Sequence, residues 1–197
     1  DEWHTQFPTI RQSKSPWPSV IVQLAGFMGR HDKMIKSGWC DLRAQQFAIC
    51  HPAQTSSLKP ADNAVFATAL DCGEANDIHP QSKPVVGHRI ALQLMKHVYG
   101  ENVVSEGPVP VRCERKDGKI VITFSAETGK LRPFDDGIAH TSGDYELTVD
   151  VKAMENAKSS TYGISGNTFC YAHDEFPLCT IYNEDGIASG AFNINME

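Results

Sequence analysis

The stretch from Ala64 to Tyr99 constrains the chain more than any other. Ala64 to Leu70 is a short, continuous apolar run, the length and composition of a buried strand. Ser82 to Tyr99 reads as a helix. Val86, Ile90, Leu94 and Val98 recur at helical spacing and predict its buried face, Ser82 is placed to cap it, Pro84 falls in its first turn, and Gly100 ends it. Between the two lies Asp71-Cys-Gly-Glu-Ala-Asn-Asp-Ile-His-Pro80. A strand that empties into a loop and returns as a helix is part of an α/β sheet, and in such sheets chemistry collects in the loops at the carboxyl ends of the strands. This loop carries Asp71, Glu74, Asp77 and His79. A histidine acting as a general base needs a carboxylate to fix its tautomer and stabilise its imidazolium. Spacing alone fits equally well a solvated acidic loop that happens to hold a histidine.

The flanking sequence divides into two styles. Before the loop, residues 1–18 are polar and broken by Pro8, Pro16 and Pro18, which predicts an extended lead-in. Val20 to Leu24 suits a strand buried on both faces. Gly26 to Gly38 is a loop holding Gly29, His31 and Asp32, with the composition of an ordinary surface loop. Trp39 to His51 reads as a helix with Cys40, Ala44, Phe47 and Ala48 on one face, and Thr55 to Asn63 as a polar loop around Pro60. After residue 105 the period changes. Val109, Val111 and Cys113 alternate, Lys116-Asp-Gly-Lys119 is a hairpin signal, and Ile120, Ile122 and Phe124 alternate on the return. Tyr145 to Val151 and Leu178 to Tyr182 are further expected strands, and Asn183-Glu-Asp-Gly186 a turn. The expected organisation is an α/β part over residues 1–105 and a small β-rich, sandwich-like part over 106–197.

Composition narrows the partners. With 41% hydrophobic residues in 197 the chain supports a packed core. A net charge of -6 leaves no basic footprint for nucleic acid or anionic lipid. The most apolar run, Ser19 to Met28, is interrupted by Gln23 and Gly26 and falls short of the roughly 20 residues of a membrane span. Six cysteines, an even number, are consistent with disulfides and an oxidising compartment, or with six buried thiols. Cys170 and Cys179 flank a loop holding His173, Asp174 and Glu175. A disulfide closing that loop is the expectation, because the spacing does not suggest a fourth zinc ligand. His88 and His97 are out of phase on an ideal helix and do not face together as metal ligands.

Asp77-Ile-His-Pro80, followed by Lys83, Gly87 and Arg89-Ile-Ala-Leu92, resembles the last catalytic block of the sialate O-acetylesterases, carbohydrate acetylesterases of the SGNH hydrolase superfamily. Other pieces fall in the same order. They are Val22-Gln-Leu-Ala25, Trp39 with Leu42-Arg-Ala-Gln45, Val65 to Asp71, Tyr99-Gly100, Glu106-Gly-Pro108, Tyr162-Gly163, Cys170, Cys179, Tyr182-Asn183 and Ala188 to Phe192. The resemblance is dense up to Pro108 and sparse beyond. It implies the C-terminal part of an SGNH-type three-layer α/β/α domain, with the β-rich part behind it. The family's serine block and its oxyanion-hole glycine and asparagine have no counterpart here. In the family they precede the histidine block, so they are expected before Asp1, in a longer protein or in the other chain of a cleaved one. Gly163-Ile-Ser-Gly166 follows the histidine and is better explained as a turn.

The resemblance implies hydrolysis of O-acetyl esters on carbohydrates, O-acetylated sialic acids foremost, through a serine acyl-enzyme, with no cofactor or metal. His79 is the implied base. Its carboxylate partner stays open. The usual superfamily acid lies three residues before the histidine, where this chain has Asn76, so Asp77 is the first choice, Asp71 the second and Glu74 the third. Cys72 raises the alternative of a Cys–His pair, which the resemblance disfavours. Arg89 is expected on the polar side of its helix or paired with an acid. Trp39 and Tyr182 are candidates for stacking on a sugar or for burial. The expected location is extracytoplasmic: secreted, periplasmic or lysosomal. Two other readings stand beside this one, a non-catalytic module that binds glycan or a partner protein, and an esterase of acetylxylan type.

Overall fold

The structure is a computed structural model that describes residues 18–51 and 63–197, with Gln6 apart. The expected lead-in and the polar loop around Pro60 lie almost wholly outside the described residues. The α/β part comprises β1 (Ser19–Gln23), α1 (Gly38–Cys50), β2 (Ala64–Thr68), a single 3-10 turn at Leu70–Cys72 and α2 (Lys83–His97). β1 and β2 pair in parallel, Ser19 opposite Ala64 through Gln23 opposite Thr68. Ser37 starts α1 by accepting the Trp39 N–H on its hydroxyl, the usual service of a serine at that position.

The expected buried face of α2 is corrected. Val86, Ile90 and Leu94 are only half-buried and Val98 is exposed, whereas Arg89 and Gln93 are buried. The reason lies in the backbone of β2. Gln93 Nε2 donates to the carbonyls of Phe66 (2.6 Å) and Ser105 (3.1 Å), and Arg89 Nη1 donates to the carbonyl of Thr68 (2.9 Å). Two of these carbonyls, those of Phe66 and Thr68, belong to β2. Two polar side chains of α2 thus close the outer edge of β2, whose polar groups would otherwise be buried without partners.

The β-rich part begins with the hairpin of β3 (Pro110–Lys116) and β4 (Lys119–Phe124). Asp117 and Gly118 both take positive φ, 51° and 75°, as a two-residue hairpin turn with the right twist requires. With β5 (Ala139–Gly143) and β6 (Glu146–Asp150) they form an antiparallel sheet in the order β3-β4-β6-β5. After the short α3 (Val151–Asn156), a second antiparallel sheet follows, β7 (Tyr162–Ser165), β8 (Thr168–Tyr171) and β9 (Phe192–Asn195). The strand expected over Leu178 to Tyr182 is corrected: the segment is irregular, with an isolated bridge from Tyr182 to Ala188. Its backbone finds a side chain instead of a ladder, the Tyr171 hydroxyl accepting the N–H groups of Thr180 (2.9 Å) and Ile181 (3.1 Å).

One apolar cluster runs through both parts. Phe47 of α1 meets Phe66 of β2 (ring centroids 5.2 Å) and Phe192 of β9 (5.8 Å), and Phe192 continues to Phe124 (6.2 Å) and Phe169 (6.4 Å). Gln23, fully buried, ties the same elements with polar bonds. Its Nε2 donates to the carbonyls of Arg43 and Ala191, and its Oε1 accepts from the Ala191 N–H and the Thr68 hydroxyl. All six cysteines are free thiols, so the expected Cys170–Cys179 bridge is corrected. The two thiols face different spaces. Cys170 lines a groove with Met34, His173 and Asn193, and Cys179 lines another with Asp71 and Tyr182.

Candidate active site

The loops leaving the carboxyl ends of β1 and β2 lie against each other. The Met28 N–H donates to the Ala75 carbonyl (3.0 Å), and Gly73 packs so closely on Gly26 that a Cβ at Gly73 would stand 2.0 Å from the Gly26 oxygen. On this rim His79 projects with 84% of its side chain exposed, and its Nδ1 is 3.5 Å from Oδ1 of Asp77, itself 44% exposed. The same Asp77 oxygen accepts the backbone N–H of His79 at 2.8 Å, so the local turn brings the two side chains together. At 3.5 Å the pair is looser than a good hydrogen bond. Glu74 is turned to the loop itself, its Oε1 accepting the Gln81 N–H (3.0 Å).

Asp71 is held elsewhere. Arg89 grips it with both nitrogens, Nη1 to Oδ1 at 2.6 Å and Nη2 to Oδ2 at 2.8 Å, and the Tyr182 hydroxyl adds a bond at 3.3 Å. Burial alone would push the Asp71 carboxyl up, but the hydrogen bonds and charge of Arg89 outweigh it and hold it below the usual carboxylate range. Of the sequence candidates, the structure brings His79 and Asp77 together and joins Asp71 to Arg89. Burial raises the Cys72 thiol to about 11, which leaves it protonated and removes the support for a Cys–His pair. Trp39 is half-buried, donating its Nε1 to the Ala25 carbonyl (3.1 Å). Tyr182 lines a pocket of about 190 Å³ with Arg30, Asp71, Phe176 and Cys179. Among the described residues no group of three histidines, cysteines or acids could hold a metal ion, and no helix is long and apolar enough to cross a membrane.

A second histidine–carboxylate pair joins the loop after β1, which carries His31, to the segment after β8, which carries Asp174. His31 Nδ1 is 2.6 Å from Oδ1 of Asp174, and the His31 backbone N–H donates to Oδ2 at 2.9 Å. Asp174 also accepts the Ser160 hydroxyl and the Glu175 N–H. Arg43, fully buried, fixes the backbone beneath, donating Nη1 to the Asp174 carbonyl at 2.6 Å and Nη2 to the Ala25 carbonyl at 3.2 Å. Sequence reading passed over this pair because 143 residues separate its members. Its one local signal is an arginine on the apolar face of α1.

No family model matches the sequence, and no curated protein matches it. Among solved structures, the chain is similar to a carbohydrate acetylesterase from Xanthomonas citri, with a TM-score of 0.67 and 23% identity. The similarity covers 98% of this chain and 44% of that one, so the chain spans less than half the length of the enzyme it matches. At this identity the likeness is one of fold.

Proposed function

We propose that this chain is the histidine-bearing part of a serine-dependent carbohydrate O-acetylesterase, with O-acetylated sialic acids as the first choice of substrate. The observation that carries the reading is the pair of His79 and Asp77, exposed on a loop at the carboxyl end of a parallel strand, in a fold similar to that of a carbohydrate acetylesterase. In this reading His79 takes the proton of a serine supplied from outside this chain, and Asp77 steadies the imidazolium. The oxyanion donors come with the serine. Asp71 has the role of fixing the rim through Arg89.

The test uses the enzyme in which this chain and the serine block are both present. His79→Ala is expected to lower acetate release from O-acetylated sugars by about 10⁴-fold or more, and Asp77→Asn by about 10³–10⁴-fold. Full turnover by His79→Ala would end the reading. Parallel assays on O-acetylated sialic acid and acetylxylan decide the sugar. This chain alone is expected to be inert toward aryl acetates, since both nucleophile and oxyanion donors are wanting. Turnover by the lone chain, abolished by a serine-directed inhibitor, would place the nucleophile within it.

A further inference from the structure

The β7–β8–β9 sheet carries a row of small residues on the face turned away from the core. Gly163, Cys170 and Asn193 stand opposite one another across the three strands. Their neighbours in the chain, Tyr162, Phe169, Tyr171 and Phe192, belong to the core, so the alternation of a strand points the row the other way. The loop after β1 closes one side. Met34 lies so close over Gly163 that a Cβ there would stand 2.8 Å from the Met34 sulfur. The first turn of α1 brings up Asp41, and the segment after β8 brings up His173. The result is a groove of about 480 Å³, within the size range of small-molecule sites, with Cys170 and Asn193 in its floor and Met34, Ile35, Asp41 and His173 in its walls.

Two polar groups in this groove are unspent. The half-buried side-chain amide of Asn193 has no hydrogen-bond partner among the described residues. His173 Nε2 stands 3.9 Å from Oδ1 of Asp41, beyond hydrogen-bond reach, although only 13% of the His173 side chain is exposed. By contrast the Thr168 hydroxyl, on the same face, is taken up by Asn195 (2.9 Å). Polar groups withdrawn from water in this way call for a partner. Burial outweighs the charge of Asp41 and holds the His173 imidazole below its ordinary value, so near pH 7 the ring is neutral, one nitrogen donating and the other accepting. The Asn193 amide likewise offers a donor and an acceptor. Lys36 and Asp41, both lining the groove, carry opposite charges.

We propose that this groove is a binding site for a neutral sugar ring, held by the Asn193 amide and the His173 imidazole. A sugar hydroxyl both donates and accepts, and so matches groups that do both. The C–H face of the ring matches the apolar wall of Met34 and Ile35. An anion would meet Asp41 across the groove, and a cation would meet Lys36. A wholly apolar ligand would bury the amide and the imidazole without partners, which costs more than it returns. No residue of the His79 loop lines the groove. The site therefore holds the protein on a glycan whether or not an ester is being cleaved.

The test titrates this chain with methyl β-xyloside and with methyl β-galactoside, following the Asn193 side-chain amide and the His173 ring by NMR. Saturable shifts at both residues are expected with at least one glycoside, at a Kd of about 1–10 mM, the range of a small ligand held by few hydrogen bonds. Asn193→Ala and His173→Ala are each expected to weaken that binding about tenfold. Cys170→Met, which raises a longer side chain from the floor, is expected to abolish it, whereas Cys170→Ala keeps it. Glucuronate presents a similar ring with a carboxylate and is expected to bind about fivefold more weakly or worse. Absence of saturable shifts with both glycosides overturns the proposal. So does glucuronate binding as tightly as the neutral sugars, or binding that both Asn193→Ala and His173→Ala leave unchanged. Should the variants fail to fold, the shifts in the wild-type chain decide alone. The readout is binding, so the result stands apart from the esterase reading.

Discussion

The Asp71–Arg89 pair shows why single residues on this rim are not interchangeable. Arg89 is 4% and Asp71 16% exposed, so each charge relies on the other. Asp71→Asn leaves a buried guanidinium facing a neutral amide. It is expected to cost about 3 kcal/mol in denaturant unfolding, and replacing Arg89 by Met in the same variant should recover part of that. A loss below about 0.5 kcal/mol would mean that water already compensates the pair. The pH dependence follows from the sign of each shift. Asp71 and Asp174 have depressed carboxyls, so the stability they lend is present above the unfolded value near 4 and is lost as pH falls through their folded values. His31 is raised, so its share is present below about 6.5 and is lost as pH rises through its folded value. Stability measured against pH is therefore expected to decline on both sides, with Asp174→Asn removing the His31 contribution on the alkaline side. The sequence made His79 and Asp77 visible because they are two residues apart. It could not show the grip of Arg89 on Asp71, 18 residues away, because that contact exists only once α2 is laid along β2.

At the level of elements, strands and helices were legible where periodicity and punctuation agree. The existence of α2 was legible from its first-turn proline and helical period, though Ser82 makes no capping bond with its side chain, and the β3–β4 hairpin was legible from Asp-Gly. The side of α2 that is buried was not legible, because it is chosen by β2 carbonyls in need of donors rather than by apolar residues. Leu178 to Tyr182 misled for the same reason in reverse, since its residue types suit a strand but the N–H groups of Thr180 and Ile181 go to the Tyr171 hydroxyl. Tyr171→Phe removes that acceptor from a buried site. The expected cost is about 1–3 kcal/mol, with faster amide exchange at Thr180 and Ile181. Unchanged protection at both amides would show that another acceptor serves them.

For the whole molecule, the antiparallel strands β3 and β4 were legible from their alternating period, but the continuity of their core with that of β2 and α1 was not. That continuity is aromatic, Phe47 and Phe66 on one side and Phe124, Phe169 and Phe192 on the other, with Gln23 bonding across to Ala191. No periodicity within one segment reveals contacts spanning 168 residues. A core shared in this way makes the two parts one cooperative unit, since opening either exposes the aromatic surface of both. Native-state hydrogen exchange reads this directly. Amides at Val65 and Ala67 in β2 and at Ile120 and Ile122 in β4 are expected to open with the same free energy. Phe47→Ala, which empties a site 1% exposed where α1, β2 and β9 meet, is expected to cost about 3–5 kcal/mol and to lower protection in both sets together. Should β4 keep its protection while β2 loses it, the two parts would be separate folding units joined only by contact.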